Sequence, residues 1–190
     1  MEFLRSNNDV FVWSSNDLGG VSKDIIEHKL DIDPKVKPKK QKLRKLAEDR
    51  VQAAKVEVQR LLNAKVIKEV QFTTWLANIV MVRKKNGKWR MCIDFIDLNK
   101  ACREDNFPLP RIDTLVDQAA ESEMLSFLDC FSGYHQIRVR KEDEEFTSFI
   151  TPFGTYCFVR MAEGLRNAGI TFVRITSTVL HKQIGKNLLT

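Results

Sequence analysis

The sequence predicts an α+β domain in which an antiparallel sheet is backed by helices. Three observations carry that expectation. Apolar residues recur at three- and four-residue spacing after Leu46, two strand-like runs flank Asn86-Gly87, and apolar alternation returns at 136–139 and 146–161.

Before Leu46 the chain is mixed. DVFVW (residues 9–13) and HKLDID (28–33) read as short strands, among loop signals at Asp17, Gly19 and Gly20. Residues 1–45 therefore read as an N-terminal arm rather than a domain. Lys35, Lys37, Lys39, Lys40, Lys42, Arg44 and Lys45 crowd its end. Such a run could neutralise phosphates, but taken alone it reads as a solvated linker.

From Leu46 a helix is predicted, with Val51, Ala54, Val58, Leu61 and Leu62 on its inward face and only its β-branched valines against it. IVMVRKKNGKWRMCIDF (79–95) reads as a hairpin closed by a two-residue turn at Asn86-Gly87, since both residues tolerate positive φ. Arg83, Lys84, Lys85, Lys88 and Arg90 make its tip cationic. FPLP (107–110) must be extended, because its prolines forbid regular helix. Ile112, Leu115, Val116 and Ala119 then mark a short amphipathic helix.

LSFLDCFSGYHQI (125–137) places Asp129 inside an apolar, strand-like run. A buried carboxylate without a partner costs several kcal/mol, so it must neutralise, pair with a cation or hold a metal. TPFG (151–154) supplies a turn within the following meander. The last helix carries Phe172, Ile175 and Val179 on one stripe, and Gly185 is expected to end it.

A chain of 190 residues with 43% hydrophobic content can bury a real core. Cys92, Cys102, Cys130 and Cys157 lie far apart with no CxxC pair, so reduced thiols are expected rather than a zinc site or a disulfide framework. No apolar run approaches the roughly 20 residues of a membrane span, and MEFLRSNNDV lacks the apolar core of a signal peptide. The expectation is a soluble, intracellular chain of net charge +6.

The cationic hairpin tip, Asp129 and the glycine-bearing MAEGLRNAG (161–169) are each weak alone. Together they suit nucleotidyl transfer: guanidinium and ammonium groups grip phosphate oxygens, a carboxylate shares magnesium with them, and glycines admit a sugar or base pair. His135 reads as a partly exposed surface residue, not as an acid or base.

WLANIVMVRKKNGKWRMCIDFIDLNKAC, FPLPRIDTLVD, LSFLDCFSGYHQIRV, EEFTSFITPFGTYCFVRM and GLRNAGITF stand in that order in the chain. In sequence and spacing, from about residue 9 onward, they resemble the reverse transcriptase region of gypsy-class long-terminal-repeat retrotransposons, particularly plant ones.

The resemblance implies a right-hand polymerase with fingers mainly over 46–124, palm mainly over 125–190, an incomplete palm and no thumb. It implies that Asp129 is the first catalytic aspartate and binds magnesium (Mg2+), with Cys130 and Phe131 running past the incoming triphosphate. Tyr134 matches the aromatic gate beneath the sugar, Arg90 the fingers arginine, and Lys84 or Lys85 its lysine companion. Glu163 and Gly164 fall beside the nucleotide pocket, while Lys88, Leu165, Arg166, Asn167 and Gly169 fall near the template-primer. The implied partners are an RNA or DNA template-primer, a deoxynucleoside triphosphate and the rest of a Pol polyprotein.

Two magnesium ions need several carboxylates. The family's Tyr-x-Asp-Asp hairpin would follow IGKNLLT (184–190), and no two aspartates stand side by side in this chain. No polymerase activity is therefore expected from the 190 residues alone.

The chain also departs from the family pattern. Ala162-Glu163 stands where the family has proline-phenylalanine, Val173 where it often has glutamine, Arg103 where it has proline, and Ile96 where it usually has a polar residue. Glu163 would repel a triphosphate, by as much as about 4 kcal/mol at 4 Å and an effective dielectric near 20. Such departures suit a decayed or truncated copy of a mobile element. The alternatives to a polymerase fragment are a non-catalytic nucleic-acid-binding remnant and a product with no selected role.

Overall fold

The computed structural model of the protein describes residues 5–6, 19–120, 122–127 and 129–185. The expected strand at DVFVW and the tail from Lys186 onward lie outside them. Strand β1 is Glu27–His28, helix α1 Glu48–Asn63, β2 Ile67–Glu69, β3 Ala77–Arg83 and β4 Trp89–Ile93. Then come α2 (Ile96–Ala101), α3 (Ile112–Ala120), a 3-10 turn at Gly133–Gln136 and β5 (Arg138–Val139). A second 3-10 segment (Lys141–Thr147), β6 (Phe149–Thr151), β7 (Gly154–Phe158) and α4 (Ala168–Val179) complete the order.

Five strands form one sheet, ordered β2-β7-β6-β3-β4, and β1 pairs with β5 apart from it. The expected antiparallel sheet is mixed: β3 and β6 run parallel, with Ala77 beside Phe149 and Asn78 beside Ile150. A parallel pair needs a long crossover, and residues 94–148 supply one through α2 and α3. Strands from both sides of the 124/125 division thus share one sheet.

The core lies beneath this sheet. Ala54, Val58 and Leu61 of α1 meet Ile67, Ile79, Phe149 and Phe158 there. Phe149, wholly buried, packs its ring 5.8 Å from Tyr156 and 5.5 Å from Phe158.

The hairpin forms as expected, but its turn differs. Lys84 N donates to Lys88 O, Gly87 N donates to Lys84 O, and Gly87 alone has positive φ (79°). This is a three-residue loop with a glycine bulge, and Asn86 instead accepts from Lys88 N.

The basic run is no free linker. Gln41 N and Leu76 N pair with Leu76 O and Lys39 O, Asn78 accepts from Arg44 N, Asp97 of α2 binds Lys39 and Asp94, just after β4, binds Arg44.

Helix α3 forms, yet none of its residues is buried, and Ile112 and Val116 are exposed. The expected strand around Asp129 is absent from residues 125–127 and 129–130, and Leu125 and Phe127 face solvent. Asp129 is exposed instead of buried, because no described strand offers this stretch a ladder.

Helix α4 turns Ala168, Thr171 and Ile175 inward, with Phe172 half-buried and Val179 exposed. It stops at Val179, well before Gly185, which has φ of 75°. β-Branched residues crowd its last turn, and the Thr176 and Thr178 hydroxyls donate back to Val173 O and Arg174 O, which weakens helix there. All four cysteines are free.

Candidate functional site

A cleft of about 460 Å³ opens between α1, the hairpin and the turn after β7. Lys84 and Arg90 reach it from the hairpin, Glu163 and Gly164 from the turn, and Glu57 and Arg60 from α1. Arg90 lies on β4, its backbone paired opposite Val82 of β3. Trp89 forms part of the wall, with the Arg50 and Arg83 guanidinium carbons 5.6 and 5.9 Å from its ring centroid.

The turn is held rigidly. Asn99 of α2 donates to Gly164 O at 2.8 Å and accepts from Arg166 N at 2.8 Å. Gly164 has φ of 86°, a conformation that suits glycine and strains other residues. Asn167, with φ of 67°, donates to Arg103 O and accepts from Asp105 N. Arg166 pairs with Glu104 at 2.7 Å.

Charges in the cleft nearly balance: Arg60, Lys84 and Arg90 stand against Glu57 and Glu163. Arg60 grips Glu57 through Nε and Nη2 at 3.0 and 2.7 Å. That bond, more than any other influence, holds the Glu57 carboxyl below its ordinary range. His135 also lines the cleft, and burial is the main cause of its depressed basicity, with Arg60 adding to it.

Four of the expected nucleotide residues, Lys84, Arg90, Glu163 and Gly164, thus share one cleft. Lys85 and Lys88 sit exposed on the hairpin tip outside its lining. Tyr134 packs its ring 5.5 Å from Phe172, and a Cβ on Gly169 would lie 3.7 Å from its hydroxyl. Close packing continues at Gly133, where a Cβ would meet Phe172 Cε2 at 2.8 Å.

Asp129, Cys130 and Phe131 are exposed and do not line the cleft. Leu165, expected near nucleic acid, is buried in the core, because its turn inserts it beneath α2 and α4. Arg166 and Asn167 spend their side chains holding the turn. Glu57, Arg60, Trp89 and His135 are additions to the expected set. Their signal is faint: Glu57 and Arg60 share a helix face one turn apart beside inward Leu61.

The donor set does not fit a pair of metal ions. Among the described residues no three histidine, cysteine or acidic side chains converge on a point, and Asp129 has no hydrogen-bond or ion-pair partner there.

The family profile described as "Reverse transcriptase (RNA-dependent DNA polymerase)" matches residues 82–189. The chain belongs to that family.

An RNA-directed DNA polymerase homolog of Oenothera berteroana is 39% identical over 95 residues, covering 50% of this chain and 67% of that protein. The Pol polyprotein of transposon 412 of Drosophila melanogaster is 36% identical over 131 residues, covering 66% of this chain and 10% of that polyprotein. This reverse transcriptase chain therefore corresponds to a region of retrotransposon Pol polyproteins and spans about a tenth of their length.

A foamy viral protease-reverse transcriptase solved in complex with an RNA/DNA hybrid shares the fold, with a TM-score of 0.77 at 16% identity over 97% of this chain and 24% of that one. Reverse transcriptases use divalent metal. No described helix is long and apolar enough to cross a membrane.

Proposed function

We propose that this chain is the nucleotide-gripping part of a template-directed DNA polymerase and is catalytically incomplete by itself. One observation carries the reading: Lys84 and Arg90 meet Glu163 and Gly164 in a single cleft, although the hairpin and the turn lie far apart in sequence. In this reading the two cations hold the triphosphate of a deoxynucleotide through charge-assisted hydrogen bonds. Tyr134 packs against Phe172 outside the cleft lining, and the gate role would require its ring to meet the sugar from beside the cleft. Gly164 leaves room for the base pair, and Lys85 and Lys88 meet the template strand.

Asp129 would supply at most one carboxylate to a magnesium ion, and it lies outside the cleft lining. One carboxylate cannot neutralise two ions that clamp both the attacking and the leaving oxygen. The expected chemistry of the isolated chain is therefore binding without turnover. Fingers over 46–124 and palm over 125–190 remain part of the proposal.

Primer extension on an RNA template with magnesium tests the incompleteness: no product is expected, and robust synthesis by the 190-residue chain overturns it. Trp89 fluorescence titrated with a deoxynucleoside triphosphate tests the cleft. Arg90→Ala should weaken binding at least tenfold, since a charged hydrogen bond contributes about 1.5–3 kcal/mol. An unchanged affinity refutes the assignment.

A second reading, a nucleic-acid binder without catalysis, is favoured by the exposure of Asp129, which joins no group of three acidic, histidine or cysteine side chains among the described residues.

A further inference from the structure

We propose that the lysine-rich segment before α1 is a preformed phosphate-backbone rail, a second nucleic-acid contact distinct from the cleft. The inference rests on the nucleic-acid reading above and adds to it a surface and a mode of binding.

A solvated linker would need no scaffold, yet this segment has one. Lys40 bridges Leu76 in parallel, and the flanking Gln41 N and Leu76 N complete the backbone pairing at 2.8 and 3.1 Å. Asn78, only 1% exposed, gives its whole side chain to the segment. Its amide oxygen accepts from Arg44 N, and its nitrogen donates to Lys42 O and Gln41 Oε1.

Lys39 and Gln41 turn toward Asp97, which they reach at 2.7 and 3.0 Å, and Arg44 binds Asp94 at 2.6 Å. Lys40 and Lys42 are exposed and reach neither of these acids among the described residues. Lys35, Lys37, Lys40, Lys42 and Lys45 are all exposed, and none forms an ion pair among the described residues.

The acids thus fix the segment while leaving five ammonium groups displayed on it. The backbone of the segment is fixed before binding, so a polyanion meets lysines whose main chain is already ordered and the protein loses less conformational freedom. The absence of a carboxylate partner for these lysines favours a repeating phosphate chain over an acidic protein patch, which would need shape-matched contacts.

Fluorescence anisotropy with a labelled single-stranded 20-mer, measured from 50 to 400 mM salt, tests the proposal. The triple variant K40Q/K42Q/K45Q should lower the slope of log K against log salt by about 2, at about 0.7 per single-strand contact. Extrapolated from 1 M salt, that is a loss of affinity on the order of 100-fold at 0.1 M. K40R/K42R/K45R keeps the charge and should keep both values, with circular dichroism matching wild type.

If the glutamine variant binds as wild type does while K85Q/K88Q loses affinity, the rail is overturned and the hairpin reading stands. Failure of the wild-type chain to bind the oligonucleotide at 50 mM salt overturns both. Binding to phosphatidylserine vesicles without binding to the oligonucleotide also overturns the rail.

Discussion

The sheet around β3 and the segment from α3 to Phe131 both read as apolar, periodic sequence, yet the chain treats them in opposite ways. In the first, Ile79, Met81, Phe149 and Phe158 are buried, and even the polar Asn78 is enclosed with every amide bond made. In the second, α3 buries nothing, and Met124 and Phe127 are 86% and 94% exposed. Amphipathic periodicity states that a face exists. Covering that face takes a partner element, and among the described residues the sheet has one where α3 does not.

The largest test of the contrast exchanges a ring in each region. Phe149→Ala should lower unfolding free energy by about 3–5 kcal/mol, through lost transfer energy and a residual cavity. Phe127→Ala should shift it by no more than about 0.5 kcal/mol, as for a solvent-facing side chain. Urea denaturation of both reads the difference, and equal losses would mean that Phe127 is covered in solution. The wild-type melt should be cooperative, since one connected core spans α1, the sheet and α4.

Among the described residues the interior holds one flaw, which pH exposes. His28 is fully buried, its Nδ1 bonds to Thr171 Oγ1 at 2.9 Å, and its Nε2 has no partner. Burial depresses its pKa from 6.5 to about 4, against the opposing pull of Asp143. Between those values the unfolded chain takes the proton and the folded chain does not. The stabilisation is therefore complete above pH 6.5 and is lost as pH falls toward about 4. It amounts to about 3 kcal/mol at 1.36 kcal/mol per unit. Denaturation from pH 7 to 4 should be steeper for wild type than for His28→Asn, and parallel curves would contradict the assignment.

Smaller effects sharpen the contrast at the hairpin and the cleft. Gly87→Ala should cost about 1–2 kcal/mol, because its φ of 79° is left-handed and nothing nearby obstructs a Cβ. Unfolding by chemical denaturant measures it, and a neutral result would mean that the loop relaxes to another turn. Glu163→Gln should strengthen triphosphate binding only a few-fold, since Glu163 is exposed and solvent screens its repulsion. The Trp89 titration reads that change, and weaker binding would assign Glu163 a positive role in the cleft.

Several elements were legible from residue spacing alone. The helix after Leu46, the hairpin about Asn86-Gly87 and the helix from Ala168 each begin where local periodicity and turn chemistry place them, although the last ends at Val179, before the expected Gly185. The turn type was not legible: two positive-φ residues and one glycine bulge share the same Asn-Gly signal. Neither was the reach of the lysine run, whose structure depends on Asn78, Asp94 and Asp97, more than thirty residues onward in sequence.

The candidate site divides the same way. Motif order pointed to Lys84, Arg90, Glu163 and Gly164, which the cleft unites. It also pointed to Leu165, Arg166 and Asn167, whose side chains the fold uses for packing and for holding the turn. Glu57 and Arg60 carried no motif, and His135, inside LSFLDCFSGYHQIRV, reads there as a surface residue; all three join the site only by where their elements pack.

By itself the sequence determined the kind of elements, the family and the charge of the hairpin, because these follow from short-range spacing and residue chemistry. Tertiary structure alone decided which apolar faces are covered, which lysines are held in place and which charged groups confront one another. Those outcomes depend on contacts between segments distant in the chain, and local propensity carries no term for them.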